Sequence, residues 1–399
     1  MLDYKELIKN KKGEPLKIVV AGDHWCIRCY RSVSALKSVG YEVYGLSSRD
    51  TYGIGALDIS MVYKNEHQFK MAVKTYIEKG VDILEWNNEP NHPAIWAREV
   101  INELGVSDRV KLISNLHDLD TIRQNVIPIS EREIFNVSDA LIYVSDPIRH
   151  KIDKLQNVTV PSITLYNYPT RKMVESTIVD WDNAKYRKGL VYEGGVNPLS
   201  GTEQDIRMNK AFKYRNLIPI LQQLVTQGNE VHAYIGNPDG FKSAIGTGII
   251  ANPPIPFDEL LKELVKFKYN IVIFNNREGT ENQVNMTTPN KLWDGMCSGL
   301  PALACYCKET EKYILKHKLG LVFDNIEDIK DTKYFEDKYE SLVSNIRKKR
   351  EQLIFENQIW MFENLAAKIL GVEKKGVPKK IESLSTFEYG QEIIKLLLT

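Results

Sequence analysis

Leu16-Lys17-Ile18-Val19-Val20-Ala21 is a short apolar run, rich in β-branched residues, that stops at Gly22. An amphipathic stretch follows from about Arg28 to Val39, and then a second short run, Glu42–Leu46. The alternation repeats: Gln68–Lys79 reads as helix, Val81–Trp86 as strand, Ala94–Leu104 as helix and Val110–Ser114 as strand. Glu131–Val137 reads as helix, Ala140–Ser145 as strand and Pro147–Leu155 as helix. Short apolar strands between amphipathic helices predict βαβ units, and so a parallel sheet covered on both faces.

A second series opens after the irregular, charged stretch Thr170–Lys188. Gly189–Tyr192 reads as strand, Arg207–Gln227 as one long helix and Glu230–Ile235 as strand. Phe257–Lys266 then reads as helix, Asn270–Phe274 as strand, Asn290–Cys297 as helix and Pro301–Cys305 as strand. The predicted fold class is therefore α/β, with two Rossmann-like doubly wound domains facing a central cleft. The expected boundaries are residues 1–168, a linker at 169–187, a second domain at 188–370 and a helical tail at 371–399 that packs back on the first domain.

Composition agrees with this. The chain has 399 residues, 43% hydrophobic and 26% charged, the balance of a globular protein with about two domains. Its net charge of +1 leaves no global affinity for polyanions, so no nucleic-acid partner is expected. Lysines gather at Lys9, Lys11, Lys12 and Lys17 and again at Lys374, Lys375, Lys379 and Lys380. They read first as solvated surface, with weak peripheral contact to anionic lipid as the alternative. The start of the chain lacks an apolar signal core, and a cytoplasmic location is the expectation. Five cysteines are too few for a disulfide framework. Cys26-Ile27-Arg28-Cys29 has the spacing of a redox pair or half a zinc site, yet Cys305 and Cys307 do not complete a known zinc pattern. The pair reads as small apolar packing at the start of the first helix, and no metal is expected.

In open α/β sheets, ligands bind beyond the carboxyl ends of the strands. Three polar clusters sit there in the first half: Asp23-His24, Asn87-Asn88-Glu89-Pro90-Asn91-His92 and His117-Asp118-Leu119-Asp120. Each alone reads as capping or solvated loop; together they make His117, Asp118, Asp23 and Glu89 candidates for acid–base or hydroxyl-binding work. In the second half, Tyr192-Glu193-Gly194-Gly195 follows the first strand, and its glycines let a phosphate approach the backbone. Thr287-Thr288-Pro289-Asn290-Lys291-Leu292-Trp293-Asp294 reads as a Thr-capped helix start, with Gly299 as its stop. That helix N-terminus suits an anion, and Asp294, one turn inside, suits a ribose diol.

The segment PNKLWDGMCSGLPALA resembles the nucleotide-binding signature of GT-B glycosyltransferases, above all the retaining family-four branch. LVYEGGV is similar to the glycine opening of that family's second domain, and EREIFNVSDALIYVSDPIRHKI to a segment of its first. Tyr166-Asn167-Tyr168-Pro169 resembles its interdomain link, and His117 falls where many members carry an active-site histidine. The resemblance spans residues 17–325 and departs in places. Of the family's paired carboxylates, Asp294 stands at the second position, Met286 beside Asn285 stands at the first, and Glu281 lies out of register. The arginine expected after the glycines is replaced by Gly195 and Val196.

The resemblance implies sugar transfer from a nucleotide-sugar donor to a hydroxyl acceptor (glycan, lipid-linked or protein-linked) without a metal or other cofactor. The first domain then binds the acceptor. Gly194, Gly195, Asn290, Lys291, Asp294, Arg277 and Glu281 bind the donor, with Arg207 or Lys210 as further cations for the diphosphate. In a retaining course His117 hydrogen-bonds the donor sugar; in an inverting one Asp23, Glu89 or His117 is the base. Two alternatives stay open: nucleotide-sugar binding without catalysis, and nucleotide-sugar epimerisation. The first strand ends AGDHW rather than in a glycine fingerprint, which speaks against a nicotinamide oxidoreductase.

Overall fold

The computed structural model describes residues 7–49, 60–197, 213–277, 283–330 and 335–373. They form two compact units. The first takes the described residues up to Tyr166 and resumes at Ile354; the second runs Asn167–Leu353. Among the described residues no helix is long and apolar enough to cross a membrane.

The first unit is a seven-stranded, all-parallel sheet in the order β3-β2-β1-β4-β5-β6-β7. The strands are β1 (Lys17–His24), β2 (Glu42–Arg49), β3 (Ser60–Val62), β4 (Ile83–Asn87), β5 (Lys111–Leu116), β6 (Ala140–Tyr143) and β7 (Ser162–Thr164). Chain direction across the sheet reverses between β1 and β4, which makes their carboxyl ends the topological switch point. The second unit repeats the plan with six parallel strands in the order β10-β9-β8-β11-β12-β13. They are β8 (Lys188–Gly194), β9 (Val231–Ile235), β10 (Ile250–Asn252), β11 (Phe267–Ile273), β12 (Ala302–Cys305) and β13 (Gly320–Val322). Its switch point lies between β8 and β11.

The α/β expectation holds, with local differences. All four sheet edges (β3, β7, β10 and β13) are three-residue strands that the sequence reading does not contain. Three residues carry too few apolar positions to make a pattern, and short edges also limit unwanted pairing. The helix expected from Arg207 begins at Ile218, because Pro219 is tolerated only in a first turn. Lys213–Arg215 is a separate 3₁₀ turn, and Arg207 and Lys210 lie outside the described residues. The expected linker carries the helix Arg171–Ser176, and the Val174 and Thr177 carbonyls accept from Arg350.

The second unit stops at Leu353 rather than at residue 370. The helix Ile359–Leu370 belongs to the first unit, where Phe362, Leu365 and Ala366 join Ile18, Val20 and Leu36 in one core. Tyr41 donates to Glu363 at 2.6 Å, and Gln358 pairs with both backbone groups of Tyr166 at 2.8 and 2.9 Å. Of the tail expected at 371–399, only residues 371–373 are described.

Charge is buried inside the first sheet. Glu85, at the centre of β4, is fully enclosed and accepts from Asn115 at 2.8 Å, Asn87 at 3.2 Å and Ser32 at 3.3 Å. Arg28, from the covering helix Ile27–Ser38, donates to the Leu165 carbonyl at 2.8 Å and to Asn115 at 3.3 Å. Burial pushes the Glu85 carboxyl up and the Arg28 guanidinium down to about 10, and their mutual attraction opposes both shifts. Removing one partner of such a pair leaves the other charge uncompensated, at about 3–5 kcal/mol. Glu85→Leu is therefore expected to lose about that much stability in urea unfolding, and Arg28→Met in the same chain to restore part of it. Equal loss in the single and double variants would contradict the pairing.

Candidate functional site

In the first unit, the expected clusters do lie at the carboxyl ends of β1, β4 and β5. The Asn88 amide, almost fully buried, organises two of them. Its Oδ1 accepts from the backbone N–H of His117 at 2.9 Å and of Asp118 at 3.4 Å, and its Nδ2 donates to the Asp118 carbonyl at 2.5 Å. One side chain from the β4 loop thus sets the turn that carries His117. His117 Nε2 lies 3.9 Å from a carboxylate oxygen of Asp118.

Arg123 gathers the neighbouring acids. It pairs with Glu89, with Asp120 at 3.1 Å and with Asp118 at 3.9 Å. Burial raises the Glu89 carboxyl above its usual range, and the pull of Arg123 opposes this. Glu131 holds the short helix Asp120–Arg123 from its N-terminal end, accepting from Asp120 N, from Thr121 N at 3.2 Å and from Thr121 Oγ1 at 2.5 Å. Asp23 stands apart from this group. It accepts from Ser48 Oγ at 2.9 Å and pairs with Arg49 at 3.0 Å, both from β2.

Asn88→Ala would leave the 117–118 backbone groups unmatched in a dry setting, at about 1–3 kcal/mol. A lower urea midpoint of that size is expected. An unchanged midpoint would mean that the turn is held by other contacts.

In the second unit, candidate donor-site residues gather around Lys291. The helix Asn290–Cys297 places it one residue from the N-terminus. Its ammonium lies 4.0 Å from the ring centre of Tyr192 in β8 and 4.9 Å from that of Phe274, just past β11. The cation therefore sits at the switch point of this sheet, and a Cβ built on Gly194 would lie 3.8 Å from its Nζ. Lys291 is 8% exposed. Burial pushes its ammonium down to about 8, against the attraction of Glu193. Two rings and one carboxylate compensate part of the lost hydration.

The surrounding backbone is fixed locally. Gly194 has φ +128°, a region that favours glycine, and the Tyr192 hydroxyl donates to the Gly195 carbonyl at 2.7 Å. Asn237 clamps the next residue, accepting from Val196 N at 3.0 Å and donating to Val196 O at 2.8 Å. The helix cap differs from expectation: Pro289, not a threonine, is the N-cap, and no side chain caps the end. Proline takes that extended position readily, and Thr288 is buried beside it. Among the described residues the Thr288 hydroxyl has no hydrogen-bond partner. The stop is as expected, with Gly299 left-handed at φ +75°.

Asp294 lies on the same helix face as Lys291 and is 2% exposed, enclosed rather than presented to solvent. Asn290 accepts from Asn167 Nδ2. Arg277 is engaged with Glu327 at 2.9 Å and Gln223 at 2.5 Å. Glu281 lies outside the described residues. Met286 and Asn285 are buried at the other carboxylate position, where Asn285 accepts from Lys308 N at 3.2 Å. Among the described residues no group of three or more His, Cys, Asp or Glu is arranged for a metal ion.

The same architecture recurs among solved structures. Sucrose-phosphate synthase from Thermosynechococcus elongatus matches with a TM-score of 0.61 at 12% identity, over 88% of this chain and 100% of that one. AviGT4, a glycosyltransferase of avilamycin A biosynthesis, matches at 0.57 and 12%, over 90% and 98%. An α-glucosyltransferase in complex with UDP and DNA matches at 0.51 and 12%, over 96% and 100%. The chain has the GT-B fold. No family model and no curated sequence matches it. In this GT-B chain the sequence reading missed Asn88 as an organiser, Arg123 as the hub of the acids and Phe274 beneath the lysine. Arg123 carried a signal, since it follows Asp120 at helical spacing on one short helix, with Asp118 just before that helix.

Proposed function

We propose that the chain transfers a sugar from a nucleotide-sugar donor to a hydroxyl acceptor, with Lys291 holding the donor diphosphate. The supporting observation is the enclosed ammonium at the β8–β11 switch point of a GT-B second domain, beside a glycine turn that lets phosphate oxygens approach. A desolvated cation stabilises the charge that grows on the diphosphate as the C1–O bond to phosphate breaks. The acceptor oxygen forms the new bond to C1, and its proton leaves with the phosphate in a retaining course. The unsatisfied Thr288 hydroxyl and the free amides at Asn290 offer further donors to the anion. Asp294, one turn beyond Lys291, is assigned to the ribose diol. The first unit supplies Asp118 and Glu89 on the acceptor side, and His117, which in that retaining course hydrogen-bonds a hydroxyl of the donor sugar.

Lys291→Met separates function from structure by the sign of its effects. The variant should lose UDP binding by at least about tenfold, yet melt higher at pH 7, because a buried ammonium costs stability wherever it is charged in the fold. That cost is complete below pH 8. It is relieved between about 8 and 10.5, where the folded lysine is neutral and the unfolded one is still charged. UDP affinity of the unaltered chain should fall as pH rises through about 8, and the variant should lack that step. Calorimetric titration and melting curves across this range check both. A variant with normal affinity would end the diphosphate assignment.

The ribose assignment is tested by Asp294→Asn with UDP and its 2′,3′-dideoxy analogue. A diol contact is worth about 1.4 kcal/mol or more, so the variant should bind UDP at least about tenfold more weakly and the analogue unchanged. Equal loss for both ligands would make Asp294 a packing residue.

A second reading, nucleotide-sugar binding without transfer, is favoured by the buried Met286 at the first carboxylate position. Release of free sugar from UDP-, GDP-, ADP- and CMP-sugars distinguishes the two. Slow hydrolysis of a bound donor supports transfer; tight binding with an intact donor supports the binding protein.

A further inference from the structure

The helix Ile27–Ser38 begins at the β1 carboxyl end with Cys26 as its N-cap and Cys29 in its first turn. Their sulfurs are 3.6 Å apart. Gly22 makes room for this: a Cβ there would lie 3.2 Å from Cys29 Sγ. Cys26 is half-buried and Cys29 fully buried, so a reagent in solution meets Cys26 first. The other three cysteines are fully buried. Cys305 and Cys307 point to the backbone carbonyls of Asp324 at 3.7 Å and Val272 at 3.4 Å, and Cys297 to Thr177 Oγ1 at 3.8 Å.

We propose that Cys26 and Cys29 are a thiol–disulfide couple, with Cys26 as the attacking thiol, Cys29 as the resolving one and a low-molecular-weight disulfide as oxidant. The Cys26 thiolate attacks one sulfur of oxidised glutathione, whose S–S bond breaks. One glutathione leaves and takes up a proton, and the other stays joined to Cys26. The Cys29 sulfur, giving its proton to solvent, then attacks Cys26 Sγ and displaces the second glutathione, which takes a proton in turn. Two protein thiols are oxidised and one external disulfide is reduced to two thiols.

The local chemistry suits the order of attack. The Cys29 thiol hydrogen-bonded to it holds the Cys26 thiol well below its ordinary value, and the charge of His117 adds to this. Burial pushes Cys29 in the opposite direction. A thiolate at a helix N-terminus beside a second thiol is the arrangement that makes a paired cysteine reactive. None of this depends on the glycosyl-transfer reading, and the test does not use activity.

The full-length chain is incubated with oxidised glutathione at pH 7.5, and its free thiols are counted before and after. The expected result is loss of two of the five thiols with no glutathione retained. Trypsin cuts after Arg28, so the two cysteines fall on separate peptides that the disulfide keeps joined until reduction. Cys29→Ser should trap one glutathione on Cys26, and Cys26→Ser should lose no thiol. A guanidinium-unfolded sample, in which every thiol is open, controls the reagent. Five thiols surviving in the folded chain, or glutathione held on Cys26 with Cys29 present, would overturn the proposal.

Discussion

Both sheets are buried on both faces, and that constraint orders the molecule. The central strands β4, β6, β11 and β12 have no exposed position along their length. Polar chemistry has no place on such a surface except where a strand ends. Parallel pairing then aligns all the carboxyl ends on one edge of each sheet. The loops after β1, β4 and β5 in one unit and after β8 and β11 in the other therefore carry nearly every group with chemistry to offer.

Exceptions to that constraint are matched locally. Glu85 sits mid-strand, where apolar packing would be simpler, and is met by Arg28, Asn115, Asn87 and Ser32. Lys291 is enclosed at a strand end and is met by rings rather than by a full ion pair. The first arrangement fixes the covering helix to the sheet. The second keeps a cation poorly hydrated, which costs stability wherever the lysine is charged in the fold. The same enclosure that penalises the charge strengthens whatever it attracts.

The alternation of strands and helices was legible because burying both faces of a strand writes a continuous apolar run into the sequence. The edges were not, since three residues cannot write one. The GT-B architecture and the positions of Gly194, Lys291 and His117 at strand ends could be read from motif order. The role of Asn88 could not: an asparagine in a loop looks the same whether it caps, is solvated or orients a neighbour. Helix Ile359–Leu370 falls in the stretch expected to close the second domain, yet it belongs to the first unit. Sequence proximity gives no warning when a chain returns after nearly two hundred residues to complete an earlier core.

That return has a consequence for synthesis. The second unit is a continuous stretch, Asn167–Leu353, and all of it is synthesised before Phe355, Phe362 and Leu365 exist to fill the first core. The unit that begins first is thus finished last. Until then Ile18, Val20 and Leu36 lack these late partners, and the growing chain carries part of an apolar face uncovered through the translation of an entire neighbouring unit.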